Sequence, residues 1–332
     1  MQGSDFDEIL SYARKLNIAY SEYINSLAVK PKSYTDSLNE LYEQYLKTKD
    51  NYLMKFMPTG FKELDKMIGG WQKDNDYVCI AARSGVGKSW IAMKIAREAM
   101  RAGYKVAYYS GEMSSEQVYQ RLITLDSGIS NYGIVHGNES IVNTYKNYID
   151  NVNITGSIVC YNAYDLPGNI ATVENLKSIV KKEQFDLLIV DQITWLSSGQ
   201  YFGNNETAEF AAISKQLREA QLELKIPFIC LHQLNRSAYL NADLSDGLYG
   251  SDKLKQDCSM IICIKDSTDE NGNLFLDFTM SKNRSGCKDS TLRYQVNYDT
   301  GVFKCVSAEV PDANQLVNSE SVESYYSEGS PF

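Results

Sequence analysis

No apolar run in this chain approaches the ~20 residues that cross a bilayer. Stretches such as Met260 to Ile264 stop far short, so no membrane span is expected. Proline is scarce, at 6 in 332 residues, and 43% of the residues are hydrophobic against 23% charged. That balance excludes collagen-like, low-complexity and disordered chains and describes a globular protein. Positive charge is missing where a secretion signal needs it. The N-terminus reads MQGSDFDEIL, with acid in place of a basic segment, so a cytoplasmic location is expected. Cysteine pairs at C-x-x-C spacing are absent too. The seven cysteines are odd in number and scattered, and Cys79, Cys230 and Cys263 sit inside apolar runs, so they read as reduced core thiols.

An excess of basic charge is also lacking. With 33 basic and 42 acidic residues the net charge is −9, which argues against coating nucleic acid by bulk electrostatics and leaves room only for a local basic channel. Residues 306–332 carry five acids (Glu309, Asp312, Glu320, Glu323, Glu328) and no Lys or Arg. This stretch reads as an acidic, flexible C-terminal tail.

Two helices are expected ahead of the core. Residues 4 to 27 place Phe6, Ile9, Leu10, Ala13, Leu16, Tyr20, Tyr23 and Leu27 at helical spacing behind Ser4, a suitable N-cap. After Lys30-Pro31-Lys32, a second stretch sets Leu38, Leu41, Tyr42 and Tyr45 at i, i+3, i+4 and i+7. The result is a narrow apolar stripe that needs a partner, either its own domain or a neighbouring subunit. Residues 1–54 are therefore assigned to a helical N-terminal and linker segment.

From Asp76 the rhythm changes to short apolar strands alternating with helical segments. Such alternation builds a mostly parallel central sheet with helices on both faces, an α/β fold. Strands are expected at Tyr77–Ala82, Lys105–Ser110, Ile158–Tyr161, Leu187–Asp191, Phe228–His232, Met260–Lys265 and Phe275–Met280, followed by a hairpin near Tyr294–Cys305. Helices are expected at Lys88–Ala102, Ser115–Leu125, Thr172–Lys182 and Thr207–Leu224. A single ATPase domain would span 55–305.

The first strand runs into Arg83-Ser84-Gly85-Val86-Gly87-Lys88-Ser89, then Trp90 and a helix. This matches the phosphate-binding loop G-x-x-x-x-G-K-[ST] at every fixed position but the first, where Ala82 stands. Gly85 and Gly87 let backbone N–H groups turn toward phosphates, and the helix N-terminus adds its positive dipole end. Lys88 would neutralise the β/γ-phosphates of ATP, and Ser89 would offer a hydroxyl to Mg²⁺.

Phosphoryl transfer also needs a carboxylate for the metal, and Phe185 to Asp191 is an apolar strand ending in acid, which makes Asp191 the metal candidate. Glu112 follows the strand Lys105–Ser110, at the carboxyl edge where ligands of open α/β sheets bind. It reads either as a base or as an acid favoured by a helix dipole. His232 reads as a core histidine rather than a base.

These residues, with Pro58-Thr59-Gly60-Phe61, Glu112-Met113-Ser114-Ser115-Glu116-Gln117, Gln233-Leu234-Asn235-Arg236-Ser237, Gln256-Asp257 and Lys282-Asn283-Arg284, resemble the DnaB-type replicative helicases, especially their phage versions. The resemblance covers roughly residues 34–305. It implies a RecA-like P-loop ATPase core with these parts: Lys88 and Ser89 on phosphate and Mg²⁺, Glu112 activating water, and Asp191 holding the metal. Gln233 would sense the γ-phosphate, and Lys282 and Arg284 would enter the next subunit's ATP site.

The resemblance further implies a homo-oligomeric ring, a hexamer, moving on single-stranded DNA in the cytoplasm of a bacterium or a phage-infected bacterial cell. Primase and a helicase loader are the implied partners. DNA contacts are expected from Ser197–Glu206 and from Leu234–Gln256, with Arg236, Tyr249, Lys253 and Lys255 as candidates; Tyr249 reads equally as packing under its loop. Cellular members carry a globular N-terminal collar ahead of the linker, where this chain has only its two expected helices. Two other readings share the phosphate loop: a recombination ATPase resembling RecA or RadA, and a nucleotide-gated loader or scaffold without unwinding activity.

Overall fold

In the computed structural model, residues 32–235, 244–247, 251–284, 286, 290–309 and 319–328 are described, together with Tyr12 and Leu16. The chain divides into two compact units, Met1–Asp50 and Asn51–Phe332. In the first, the second expected helix forms as Tyr34–Asp50. Ser33 caps it by accepting the Asp36 N–H at 3.2 Å, and Lys47 and Lys49 lie in the last turn where cations suit the dipole. Its stripe of Leu38, Leu41, Tyr42 and Tyr45 is exposed. The expected helix over residues 4 to 27 lies outside the described residues, apart from Tyr12 and Leu16.

The second unit is built on a nine-stranded sheet in the order β11-β10-β9-β8-β3-β7-β6-β4-β5. Its strands are β3 (Tyr77–Ala82), β4 (Lys105–Ser110), β5 (Ser157–Tyr161), β6 (Leu187–Asp191), β7 (Phe228–Gln233), β8 (Met260–Thr268), β9 (Leu274–Asn283), β10 (Thr291–Asn297) and β11 (Val302–Glu309). From β8 to β5 every pairing is parallel; β9, β10 and β11 add antiparallel neighbours. A short ribbon of β1 (Phe56–Met57) and β2 (Trp71–Gln72) stands apart.

Period-2 alternation along β3 explains the layers. Val78, Ile80 and Ala82 face one core, shared with Ile91, Met93 and Ile95 of the helix Lys88–Arg101. Tyr77, Cys79 and Ala81 face the other, shared with Leu176 of Val173–Glu183 and with Phe210, Ile213 and Leu217 of Glu206–Leu224. Strands buried on both faces read as unbroken apolar runs, and β3 and β6 are buried along their whole length. Cys79, Cys230 and Cys263 are buried in this sheet as thiols, outside any disulfide.

One expectation is corrected. Residues 306–332 do not form a flexible tail throughout: β11 continues to Glu309, and Ser319–Glu328 is a helix packed on the helix Lys62–Ile68. Val322 is buried, Tyr326 donates to Asp65 at 2.6 Å, and Tyr325 donates to Glu98 at 2.8 Å. Glu323 bridges Lys62 at 2.6 Å and Lys66 at 2.7 Å. Glu323, one of the acids that suggested solvation, thus finds two cations in the fold. With so few apolar side chains, the helix carries no periodicity for the sequence to show. The helices Lys62–Ile68, Asn131–His136, Val142–Asn151 and Ser251–Asp257 were likewise not foreseen.

Candidate active site

Because β3, β4, β6 and β7 run parallel, their carboxyl ends open on one edge of the sheet. A cavity of about 240 Å³ lies there, lined by Ser84, Gly85, Gly87, Lys88, Ser89, Trp90, Glu112, Arg121, Asp191, Gln192, Gln233 and Tyr298. Lys88, Ser89, Glu112, Asp191 and Gln233, singled out far apart in sequence, thus share one space. Arg83 and Val86 belong to the same loop without lining the cavity.

Gly85 and Gly87 take left-handed φ of +84° and +98°, which side chains rarely adopt, and Gly87 starts the helix Lys88–Arg101. Lys88 folds back onto its loop, donating to the carbonyls of Ala82 at 3.2 Å and Arg83 at 3.1 Å. Burial lowers its pKa, opposed by the nearby Asp191 and Glu112 carboxylates. Asp191 accepts from Tyr108 at 2.7 Å and from the Ser89 hydroxyl, while burial raises its pKa. A carboxylate hydrogen-bonded to a hydroxyl at the loop's first helical turn is a set of hard oxygen donors, the kind that suits Mg²⁺ alongside phosphate oxygens. Among the described residues no group of three or more His, Cys, Asp or Glu could hold a metal by itself.

Glu112 leaves β4 just before a capped helix. Ser114 accepts the Gln117 N–H at 3.3 Å and Gln117 accepts the Ser114 N–H at 3.1 Å, a reciprocal cap that fixes where Ser115–Ser127 begins. The Glu112 carboxylate accepts from Gln192 at 2.9 Å and from the Trp195 indole at 3.1 Å. His232 is buried and stacks on Phe210 at 4.9 Å, in keeping with a core histidine.

Arg121, Gln192 and Tyr298 were not singled out from the sequence. Tyr298, in the turn between β10 and β11, donates to the Val86 carbonyl at 2.7 Å from 212 residues away. It also stacks on Trp90 at 5.4 Å, and the Arg121 guanidinium lies over Trp90 at 5.3 Å. Only topology brings such residues together. Gln192 was legible in principle, since it follows the strand-ending acid.

Lys282 and Arg284 do not line this cavity. Lys282 donates to the carbonyls of Lys255 and Gln256, and Arg284 to that of Gln256, at the C-terminal end of the helix Ser251–Asp257 where cations are favoured. Of the DNA-contact candidates, Lys253 pairs with Asp257 at 3.0 Å and Lys255 is half-buried on the same helix. Arg236 and Tyr249 lie outside the described residues. No helix among the described residues is long and apolar enough to cross a membrane.

The family model for the DnaB-like helicase C terminal domain matches residues 57–303. A probable plasmid replicative DNA helicase of Chlamydia psittaci is 30% identical over 313 residues, covering 90% of this chain and 66% of that protein. The replicative DNA helicase DnaC of Bacillus subtilis (strain 168) is 28% identical over 243 residues, 69% of this chain and 52% of that protein. The chain spans about half the length of the first of the curated relatives it matches. Among solved structures, an isolated ATPase domain superposes with a TM-score of 0.70 at 22% identity, covering 84% of this chain and 100% of that one. A DnaB-like replicative helicase described with its interactions with primase gives 0.67 at 21%, covering 92% and 76%. These two share the fold, a RecA-like α/β ATPase core. The strand-to-helix phosphate loop, the acids at the carboxyl edge and the match over 57–303 leave one assignment: the chain belongs to the DnaB-like helicase C-terminal domain family.

Proposed function

We propose that this chain is the ATP-hydrolysing motor of a replicative DNA helicase, forming a hexameric ring that moves on single-stranded DNA in the cytoplasm of a bacterium or phage-infected cell. The observation that carries the reading is the cavity at the carboxyl edge where Lys88, Ser89, Glu112 and Asp191 converge. On ATP binding, Lys88 exchanges the carbonyls of Ala82 and Arg83 for the β/γ-phosphates, since hydrogen bonds to an ionised acceptor are stronger than those to neutral carbonyls. Ser89 and Asp191 would hold Mg²⁺, which when bound neutralises charge developing on the phosphates. Glu112 accepts the proton of the attacking water, and Gln233 at the end of β7 reports the γ-phosphate toward the segment that follows it.

Among the described residues, the cations that line the cavity are Lys88 and Arg121, and we assign the further charge that hydrolysis needs to Lys282 and Arg284 of the next subunit. ATP would then sit between subunits, a head-to-tail contact that closes into a ring. Primase and a loader are the partners this reading expects. A forked-duplex unwinding assay, paired with electron microscopy on single-stranded DNA, tests it. Closed rings with ATP-dependent unwinding support the proposal, whereas filaments or ATP binding without unwinding overturn it.

A further inference from the structure

Both hydrogen bonds to the Glu112 carboxylate end on the same oxygen. Gln192 Nε2 donates to Oε1 at 2.9 Å and Trp195 Nε1 donates to Oε1 at 3.1 Å, while Oε2 accepts none among the described residues. A carboxylate only accepts, so the Gln192 amide must turn its nitrogen toward Glu112. Its oxygen is then left buried and without a donor among the described residues, a cost of about 1–3 kcal/mol for an unmet polar group. The arrangement sacrifices that oxygen to serve Glu112.

Burial alone does not account for where Trp195 stands. It is 53% exposed, far more than a large aromatic needs to be. Its ring lies against Gly111, where a Cβ would come within 2.4 Å of the indole Cγ, so the residue before Glu112 must be glycine for the ring to fit. The Trp195 carbonyl accepts from Tyr109 at 3.4 Å, and the Gly111 N–H donates to the Asp191 carbonyl at 2.7 Å, which ties the two segments together. Both donors thus come from the short stretch after β6, and none from the element that bears Glu112.

We propose that Trp195 is a positioning residue for Glu112: its indole N–H, with the Gln192 amide, occupies Oε1 and leaves Oε2 as the atom that takes the proton from water. The inference rests on Glu112 acting as the base. It also ties that base to the stretch beyond Trp195, residues 196–205, in which Leu196 and Ser198 are buried and Tyr201 is 95% exposed. Whatever displaces this stretch moves a donor to the base.

Trp195→Phe keeps an aromatic ring beside Gly111 and removes the N–H donor together with part of the indole. In the full chain, with oligothymidylate as DNA, it is expected to lower kcat for ATP about tenfold, a fraction of the ~10²–10⁴ that a positioned base contributes, while KM for ATP stays within about twofold. Gln192→Met, which withdraws the other donor, is expected to give the same split. Adding Trp195→Phe to Glu112→Gln is expected to cost nothing more, because the interaction it serves is already gone. A kcat within about twofold of wild type, a raised KM with kcat unchanged, or a further loss on the Glu112→Gln background would each overturn the proposal. Wild-type turnover by Glu112→Gln alone would instead overturn the assignment of the base.

Discussion

The two ends of the sheet treat their charged residues differently. At the carboxyl edge of β3, β4 and β6, Lys88, Glu112 and Asp191 line one cavity of about 240 Å³, where the two carboxylates favour the charged form of Lys88 against its burial. At the end of β9, Lys282 and Arg284 rest on backbone carbonyls of Lys255 and Gln256 and line no part of that cavity. The first region has its partners within one chain. The second has cations on neutral acceptors, which a phosphate would attract away, since bonds to an ionised acceptor are roughly twice as strong. In our reading the difference separates what one subunit completes alone from what requires a neighbour.

The sharpest way to break that contrast is Arg284→Ala. If the group acts as an arginine finger in trans, hydrolysis falls by ~10³–10⁵. Mixing Arg284→Ala with Lys88→Ala subunits should restore part of it, because a mixed boundary can pair an intact loop with an intact finger. Steady-state ATPase across mixing ratios is the measurement, and no recovery at any ratio would place Arg284 outside a shared site. Leu41→Asp comes next. If the exposed stripe of Tyr34–Asp50 docks on a neighbour, it would bury an unpaired carboxylate there and weaken association by about 3–5 kcal/mol. Sedimentation over a concentration series would show this as a shift to smaller species, whereas unchanged assembly would return the stripe to its own subunit.

Smaller is the effect of the C-terminal helix. Tyr326→Phe removes a donor from a buried carboxylate and should cost about 1–3 kcal/mol of stability, read from the thermal midpoint, with ATPase at 25 °C unchanged. A midpoint equal to wild type would make the Ser319–Glu328 contact incidental.

The same contrast governs what the sequence could show. The centre of the parallel half was legible because strands such as β3 and β6, buried on both faces, are unbroken apolar runs, and because the phosphate loop sits between β3 and a helix with fixed spacing. The residues that complete the site were not. Tyr298 and Arg121 reach it through topology alone, and Trp195 lies in the connection after β6, where no motif marks it. The helix Ser319–Glu328 was hidden for a different reason: it is held by Tyr and Glu side chains meeting partners more than 200 residues away, and polar pairings of that kind leave no mark on hydrophobic pattern.

Burial of Asp65, which that helix contacts through Tyr326, makes stability depend on pH in a direction opposite to the common one for acids. Asp65 is buried and accepts the Thr59 N–H at 3.0 and 3.2 Å and the Tyr326 hydroxyl at 2.6 Å. Burial outweighs these bonds, aided by the charge of Glu98, and lifts its pKa from 3.8 to about 7. Between those two values the folded chain holds a proton that the unfolded chain has released, so stability falls as pH rises toward about 7 and this loss levels off above it. Asp65→Asn cannot titrate. The difference in thermal midpoint, wild type minus Asp65→Asn, should therefore decrease from pH 5 to pH 7 and then stay flat, at the unfolding transition of the whole chain. A difference that stays constant, or grows with pH, would mean that the Thr59 and Tyr326 donors hold Asp65 ionised throughout and that the C-terminal helix is seated by an anion.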